Sequence, residues 1–296
     1  MPPLVSIIAL NYNNTAVTVE FLNSIREHCR YPAIEVIVVD NGSSDDPSTP
    51  CIAAFPGVKM VLTGANLGFS GGNNAGIRVA TGTYFFIVNN DTEFTPGLIE
   101  GLLEIFRNYP DAGVACPKFQ YFFDKGTLEW AGFRKINVFT GRNTAIGHGE
   151  KDEGQYNLVR ETPYAHGGGM MVPRQVVEKA GSMPEEFFLY YEELDWSEQI
   201  RRNGYRIYYQ PSSLIYHKES MTTGRASPLK TFYQTRNRIL FMKRNVAWHQ
   251  FLVFMIFFFV LTVPKNSMKF LLKGKMQHLK AFWKGVLWHI NPAITF

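Results

Sequence analysis

Three polar residues end an apolar run in this chain: the strand-like FFIV of residues 85–88 is followed at once by Asn89, Asn90 and Asp91. A carboxylate at a strand tip lies at the edge of a sheet, where oxygen ligands can hold a hard divalent cation such as Mg²⁺ or Mn²⁺. The sequence Asn-Asn-Asp-Thr is also a good turn. Taken alone, the stretch leaves a metal half-site and a simple turn open.

Other groups suited to acid–base or metal chemistry lie further along the chain. Glu192, Glu193 and Asp195 follow the aromatic run FFLYY, whose apolar surroundings would raise the pKa of a nearby carboxylic acid. His217 ends the strand-like SSLIYH, and its imidazole is a suitable ligand for Mn²⁺. The alternatives are helix-surface charges for Glu192 and Asp195, and a strand-end histidine without function for His217.

A doubly wound α/β sheet would place these groups together. β-branched and aromatic runs separated by helical periodicity predict parallel strands with helices on both faces. The predicted strands are 5–10, 34–40, 58–63 and 83–90, and a helix is predicted at 15–28. Ligands bind outside the carboxyl ends of such strands. Asn11, Asp40 and the segment 89–91 are therefore expected to face one crevice.

Later segments have weaker patterns. Residues 95–110 predict a helix with Thr95 as N-cap and Pro96 as the first helical residue. The segment 193–205 predicts a helix that ends at Gly204, and 70–82 predicts a loop entering a helix. The middle of the chain, about 117–165, has no clean period.

Composition limits the class of protein. The 296 residues are 46% hydrophobic and 19% charged, which fits one large α/β domain or one domain with an appendage. It excludes a disordered or collagen-like chain. Three scattered cysteines argue against a disulfide framework or zinc site and favour a reducing compartment. The first residues lack the basic segment of a signal peptide.

Charge is distributed unevenly. From Ser220 to the end there are 12 Lys and Arg and no Asp or Glu, whereas the first 219 residues hold 18 basic and 25 acidic residues. Such a tail predicts an anionic partner, either nucleic acid or a membrane surface. A solvated basic face is the alternative.

The tail also contains apolar segments. Thirteen apolar or Thr residues run from Phe251 to Val263 and stop at Pro264, fewer than the ~20 residues of a membrane-spanning helix. Residues 265–288 place an apolar stripe beside Lys273, Lys280 and Lys284. Basic amphipathic helices of this kind lie on membrane surfaces. We therefore predict a membrane partner and no nucleic acid, with packing on the catalytic domain as the alternative.

Six motifs, taken together and in order, resemble the family 2 glycosyltransferases of the GT-A fold, especially their rhamnosyltransferase and galactofuranosyltransferase branch. They span about residues 4 to 245 and are VSIIALNYN, VIVVDNGSSDD, NLGFSGGNNAGIRVATG, YFFIVNNDTEF, EEFFLYYEELDWSEQIRRNGY and LIYH. The resemblance implies inverting transfer of a sugar from a nucleotide diphosphate donor to a hydroxyl group, with Mn²⁺ or Mg²⁺ as cofactor.

The resemblance also implies roles for individual residues. The NND segment occupies the position of the family's D-x-D metal motif, so Asp91, His217 and Asn89 are the predicted metal ligands. Asn89 departs from the motif because it offers a carbonyl oxygen without charge. Glu193 occupies the position of the catalytic base, Asp195 is a rival for that role, and Glu192 supports it.

Binding residues follow from the same motifs. The predicted nucleotide-sugar-binding residues are Leu10, Asn11, Asp40, Asn66, Asn73, Asn90 and Arg236. The segment HGGGMMV (166–172) is predicted to form the acceptor side, because bare glycines let a sugar ring lie against the backbone. The predicted acceptor-binding residues are Gly168, Gly169, Tyr191 and Trp196. A core role is expected for at least one of the aromatic residues.

These inferences predict a GT-A catalytic domain at 1–225 and a helical, membrane-associated tail at 226–296. The expected function is transfer of rhamnose from dTDP-rhamnose to a glycan or lipid-linked acceptor, at the cytoplasmic face of a bacterial inner membrane. The oligomeric state stays open. One alternative is a non-catalytic nucleotide-sugar or glycan-binding module, which Asn89 favours. Another is a nucleotidyltransferase, which ALNYNNTAV disfavours because it lacks a basic residue.

Overall fold

The computed structural model describes residues 1–218 and 227–296. Its strands belong to one sheet and are β1 (Val5–Asn11), β2 (Ile34–Asp40), β3 (Lys59–Leu62), β4 (Tyr84–Val88), β5 (Thr92–Glu93), β6 (Ala112–Tyr121), β7 (Leu128–Trp130), β8 (Arg160–Glu161), β9 (Gly169–Pro173) and β10 (Arg206–His217). Its α-helices are α1 (Thr15–His28), α2 (Ser48–Ala54), α3 (Gly68–Val79), α4 (Leu98–Asn108), α5 (Arg174–Ala180), α6 (Glu192–Arg202), α7 (Pro228–Asn245), α8 (Trp248–Phe257), α9 (Val263–Leu272) and α10 (Met276–Leu287).

The strand order is β3-β2-β1-β4-β9-β6-β10-β5, with β7 beside β6 and β8 beside β10. Strands β3, β2, β1 and β4 are parallel, as the alternating strand–helix pattern predicts. Strand β9 then pairs antiparallel with β4 and β6, and β6 runs parallel to β10. The predicted α/β GT-A-like architecture is confirmed, with a parallel first half and a mixed second half.

Helices cover both faces of the parallel half. Ile7 and Ala9 of β1 belong to the same core cluster as Phe21 of α1, whereas Ile8 belongs to a second cluster with Ala75 of α3. Alternate residues of a strand point to opposite faces, so a strand buried on both sides is continuously apolar. Burying each large apolar side chain in these clusters contributes about 1.5–3 kcal/mol.

Two local predictions are corrected. Helix α4 begins at Leu98, because Gly97 adopts a left-handed conformation (φ +78°) and the Thr95 hydroxyl donates to the Leu214 carbonyl. The glycine-rich segment lies inside α3: a Cβ at Gly76 would lie 2.4 Å from Ile8 Cγ2. These glycines therefore allow the helix to pack closely on the sheet. By contrast, α1, β2 and the end of α6 before Gly204 agree with the predictions.

Pro264 does not end the apolar helix of the tail, contrary to the prediction. Residues Trp248–Leu272 form one helix of 25 residues, long and apolar enough to cross a membrane by length and composition. A π-helical turn at Phe258–Thr262 precedes the proline. The wider turn accommodates a ring that would clash with the preceding turn of a regular helix.

The tail shares a core with the preceding part of the chain. Phe187 and Leu194 pack in one cluster with Phe241 of α7, Phe254 of α8 and Phe258 of the π turn. The predicted domain boundary between residues 225 and 226 lies outside the described residues. The described tail is thus part of the structural unit that carries the candidate site.

Candidate active site

The carboxyl ends of β1 and β2 bring Asn11 and Asp40 together. The parallel register pairs these two residues, and Asn11 Nδ2 donates to Asp40 Oδ1 at 2.8 Å. The Ser43 N–H donates to Asp40 Oδ2 at 3.1 Å, and the Ser43 hydroxyl donates to Oδ1 at 2.5 Å. These bonds fix the orientation of a buried carboxylate at the sheet edge.

A buried hydrogen-bond chain joins this carboxylate to the polar segment after β4. Asn90 Nδ2 donates to the Thr18 hydroxyl, and the Thr18 hydroxyl donates to Asn11 Oδ1, each at 2.8 Å. The ends of β1, β2 and β4 are therefore linked by side chains, as their shared edge predicts. Thr18 was not predicted, because its helical position gave no sign that it points to the strand ends.

The other predicted nucleotide-binding residues have mainly structural contacts. Leu10 packs against Gly72 of α3, where a Cβ would lie 2.9 Å from it. Asn66 Oδ1 accepts from the Gly68 N–H, and buried Asn73 donates to the Phe69 carbonyl. Arg236 donates to the Glu186 carbonyl and lies 4.4 Å from the ring centre of Trp288.

Asp91 and His217 meet where β5 pairs with β10. His217 Nε2 lies 3.1 Å from Asp91 Oδ1, and His217 Nδ1 lies 2.8 Å from Glu129 Oε2. All three side chains are buried. The sequence did not single out Glu129, because it lies in the segment without a clean period.

Electrostatics favours the protonated form of His217, which would have to lose its Nε2 proton to bind a metal. Burial alone would lower its pKa, but hydrogen bonds and attraction to Asp91 and Glu129 raise the pKa of His217 to about 10. Nearby His166 behaves in the opposite way: burial lowers its pKa to about 4, with Glu129 3.9 Å away only partly offsetting the effect. A positive charge is thus preferred next to Asp91.

The donor set fits a divalent cation that also binds phosphate. The Glu129 carboxylate holds His217 through Nδ1, so that Nε2 points towards Asp91. Proteins commonly orient a metal-binding imidazole in this way. Within residues 1–218 and 227–296, no group of three His, Cys, Asp or Glu side chains could hold a metal by itself. Asp91 and His217 would supply part of the coordination, and ligand phosphates would supply more.

The glycine segment 167–169 lies between this pair and the acidic start of α6. The Asn89 N–H donates to the Gly168 carbonyl at 3.0 Å, and a Cβ at Gly167 would lie 3.7 Å from Glu193 Cγ. A Cβ at Gly169 would lie 3.1 Å from the Phe119 ring. Gly168 is therefore bonded to the NND segment and Gly167 lies beside Glu193, so this short segment adjoins both predicted groups.

Burial changes the acidity of two adjacent carboxyl groups. Desolvation raises the pKa of Glu193 to about 7, although backbone N–H groups at the start of α6 oppose the increase. Desolvation, followed by repulsion from Glu193, raises the pKa of Glu192 well above its usual range, and Glu192 Oε2 has no hydrogen-bond partner. A carboxylate with a pKa near neutrality can accept a proton at physiological pH.

Asp195 and Trp196 face the interior of the protein. Arg244 donates to both oxygens of Asp195 at 3.1 Å, and Asn245 Nδ2 donates to Oδ1 at 2.6 Å. Trp196 is buried and its indole N–H donates to the Gly181 carbonyl. These contacts fit structural roles and make Glu193 the better candidate base.

The loop before α6 has an unusual backbone. Phe188, Tyr190 and Tyr191 have positive φ angles of 64°, 70° and 74°, which cost a non-glycine residue of order 1–3 kcal/mol each. Tyr191 also donates its hydroxyl to the Gly141 carbonyl at 2.9 Å. The loop therefore needs external support to keep this conformation.

Asn237 of α7 provides this support. Its buried Nδ2 lies 2.8 Å from each of the carbonyl oxygens of Phe187, Leu189 and Tyr190. One amide group thus holds three successive parts of the loop that leads into Glu192 and Glu193. Asn237 was not predicted, because the sequence indicated only a basic tail segment at this position.

Comparison with known proteins identifies the family of the chain. The family model described as glycosyl transferase family 2 matches residues 6–181. An N-acetylglucosaminyl-diphospho-decaprenol L-rhamnosyltransferase of Mycobacterium tuberculosis is 23% identical over 272 residues, with 84% of this chain and 87% of the relative covered.

Solved structures agree in fold. A mannosyltransferase from Pyrobaculum calidifontis, in complex with GDP-Man and Mn²⁺, superposes with a TM-score of 0.60 at 16% identity, covering 98% of this chain and 76% of that chain. S. aureus TarS in complex with UDP-GlcNAc superposes with a TM-score of 0.61 at 16% identity, covering 96% and 81%. At this identity the likeness shows a shared fold.

Replacing Asn237 tests the support of the loop. In Asn237→Leu, the carbonyls of Phe187, Leu189 and Tyr190 lose their hydrogen bonds to this amide, and a buried polar group left unsatisfied costs about 1–3 kcal/mol. We expect faster amide hydrogen exchange at 187–193 and a lower melting temperature. Asn291→Leu, at an exposed position of the tail, is the control and should leave both unchanged. Unchanged exchange at 187–193 in Asn237→Leu would contradict the role of this amide.

Proposed function

The chain belongs to glycosyl transferase family 2, in its rhamnosyltransferase-like branch, and on that basis we propose that it transfers a sugar from a nucleotide diphosphate donor to a lipid-linked acceptor with inversion. We propose L-rhamnose from dTDP-rhamnose as the donor sugar. The observation that carries the proposal is the proximity of the NND segment and Glu193 across the glycine segment 167–169.

Glu193 is the proposed catalytic base. It takes the proton from an acceptor hydroxyl while that oxygen forms a bond to C1 of the donor sugar. The bond from C1 to the phosphate oxygen breaks on the opposite face, and the nucleoside diphosphate leaves with its electron pair. Attack from the opposite face inverts C1. The pKa of about 7 supports this role, because a useful fraction of Glu193 is ionised at neutral pH.

Asp91 and His217 are the proposed protein ligands of a divalent cation, with Asn89 as a neutral contributor. When bound, Mn²⁺ or Mg²⁺ supplies Lewis-acid stabilisation of charge on the departing diphosphate. Glu129 keeps His217 in position through Nδ1. The Pyrobaculum neighbour contains GDP-Man and Mn²⁺, which supports a divalent cation as the cofactor here.

Asp40 is proposed to bind the nucleoside part of the donor, because it is a fixed carboxylate at the carboxyl end of β2. The buried chain from Asn11 through Thr18 to Asn90 links nucleoside binding to the NND segment. The two ends of one donor molecule would therefore be held by a single hydrogen-bonded unit.

The acceptor and the location are proposed from the relative and the tail. The name of the mycobacterial relative describes an acceptor carried on a diphospho-decaprenol lipid. Phe254, Phe258 and Val263 of the apolar helix pack on the protein itself, while Ile256, Val260 and Leu272 are exposed. Because one face of this helix packs against its own domain, we expect the helix to lie on the membrane surface. We propose the cytoplasmic face of a bacterial inner membrane.

A non-catalytic nucleotide-sugar-binding protein is the second candidate, because Asn89 removes one charge from the expected metal motif. Such a protein would bind donors without transferring the sugar.

Substitution of Glu193 tests the proposed chemistry. Glu193→Gln should lower kcat by about 10²–10⁴-fold, because it removes the proton acceptor and keeps the shape of the side chain. In the wild type kcat should rise with pH and level off above about pH 7, since Glu193 is protonated and inactive below its pKa. The residual kcat of Glu193→Gln should not rise with pH in this range.

Asp195→Asn is the matched control on the same helix. It should lower the melting temperature by weakening the contact with Arg244 and change kcat by only a few-fold. Loss of kcat in a fully folded Asp195→Asn, with near-normal kcat in Glu193→Gln, would assign the base to Asp195. Rates near zero in the folded wild type would favour the binding-protein alternative.

Donor binding tests the metal assignment. Ligand at one hundred times Kd stabilises a protein by about 2.7 kcal/mol, so dTDP-rhamnose with Mn²⁺ should raise the melting temperature by several degrees. Asp91→Asn should lose the Mn²⁺-dependent part of the shift, whereas Asp45→Asn, at an exposed carboxylate, should retain it. An Mn²⁺-dependent shift that persists in Asp91→Asn would contradict the assignment.

Sedimentation with vesicles tests the membrane surface. The triple variant Ile256→Ser, Val260→Ser, Leu272→Ser should stay in the supernatant, because it removes exposed apolar area from the outer face of the helix. The control triple variant Ile52→Ser, Leu62→Ser, Leu158→Ser changes exposed apolar residues outside the tail and should sediment like the wild type. Equal sedimentation of both variants would contradict the proposed surface.

A further inference from the structure

A cavity of about 340 Å³ lies between α7, α9 and α10. Its lining is strongly cationic, and the basic residues in it are Arg142, Lys230, Arg238, Lys269, Lys273 and Lys275. No Asp or Glu lines the cavity, and within residues 1–218 and 227–296 none of these six cations forms an ion pair. Charges of one sign confined in a concave site attract a polyanion.

Arg238 is the most informative of these residues. Its side chain is only 4% exposed, and its buried Nε has no hydrogen-bond partner. Burial lowers the pKa of Arg238 to about 10, so the guanidinium still carries its charge at neutral pH. Its guanidinium lies 4.8 Å from the ring centre of Phe258. A buried charge without an opposite charge is costly, so an anion in the cavity would stabilise Arg238.

The cavity lies beside the proposed membrane surface. Lys269 and Lys273 alternate along the chain with Met268, Leu271 and Leu272, which are exposed and apolar. The end of α9 thus has cations that line the cavity and apolar side chains that are exposed on the outside. This arrangement fits a ligand with an anionic head and a hydrocarbon tail.

The cavity also adjoins the proposed reaction site. Lys230 lines both the cationic cavity and a second cavity of about 480 Å³, whose lining includes His217 and Lys218. A sugar attached directly to an anionic group in the first cavity would extend towards the second. Lys230 therefore connects the cationic cavity to the cavity that contains His217.

We propose that this cavity binds the diphosphate of a lipid-linked sugar acceptor, an inference that rests on the proposed function. A diphosphate fits better than the single phosphate of a bilayer phospholipid, because six cations from several segments line one cavity. Bulk anionic lipid would instead meet exposed cations outside the cavity, such as Lys265 and Lys280.

Vesicle binding with the full-length protein tests the site directly. The probes are phosphatidylcholine vesicles that contain a polyprenyl diphosphate, the uncharged polyprenol, or phosphatidylglycerol at equal surface charge. The wild type should bind the diphosphate vesicles at least about tenfold more tightly than either other kind, since the diphosphate accepts charged hydrogen bonds that the uncharged polyprenol and the single phosphate do not match.

A pair of double variants separates the cavity from general surface charge. Lys269→Ala with Lys273→Ala should lose the preference for the diphosphate by about tenfold or more. Lys265→Ala with Lys280→Ala removes the same charge from tail residues that do not line the cavity, and should keep the preference. All four lysines are exposed, so both variants should fold normally.

Two outcomes would overturn the inference: equal binding of diphosphate and charge-matched phosphatidylglycerol vesicles, or an unchanged preference in Lys269→Ala with Lys273→Ala. A transfer assay with a lipid diphosphate acceptor separates this inference from the proposed function. Sugar transfer with an unchanged acceptor KM in the cavity variant would refute the site and leave the function intact. Selective diphosphate binding by a wild type that transfers no sugar would refute the function and support the site.

Discussion

The hydrogen bonds from Asn237 to the loop before α6 are the contact on which the account of the site depends. That loop contains three non-glycine residues with positive φ and leads directly into Glu192, which is buried, and Glu193, which is half-buried. Both features are unfavourable by themselves, because the backbone is strained and the carboxyl groups are desolvated. The amide of Asn237 satisfies the loop carbonyls, and the shared core around Phe241 holds α7 in place. The tail thus supports the geometry of the candidate base.

A second unit, made of hydrogen-bonded side chains, fixes the other side of the site. The bonded series from Asp40 through Asn11 and Thr18 to Asn90 links three strand ends, and Glu129 fixes His217 against Asp91. The glycine segment 167–169 lies between this unit and Glu193. The NND segment and Glu193 thus both adjoin this short segment.

Periodicity was sufficient to predict the first half of the fold, because β1, α1 and β2 carry simple apolar patterns that end in polar residues. It failed for β6, which is buried along nearly its whole length and so lacks alternation. Sequence motifs indicated Asp91, His217 and Glu193 as site residues. They could not indicate Glu129 or Asn237, whose partners lie far away in the chain. The sequence likewise could not decide whether Glu193 or Asp195 is the base, because that choice depends on which side of α6 faces Arg244.

The most direct test of the central claim is a crystal structure of the protein with Mn²⁺, a non-hydrolysable analogue of dTDP-rhamnose and an acceptor. The account predicts that the metal contacts Asp91, His217 and the diphosphate, and that a Glu193 carboxylate oxygen lies within about 3.2 Å of the acceptor hydroxyl that faces C1. A donor bound with its diphosphate away from Asp91, or with C1 in a compartment that Glu193 does not reach, would contradict it.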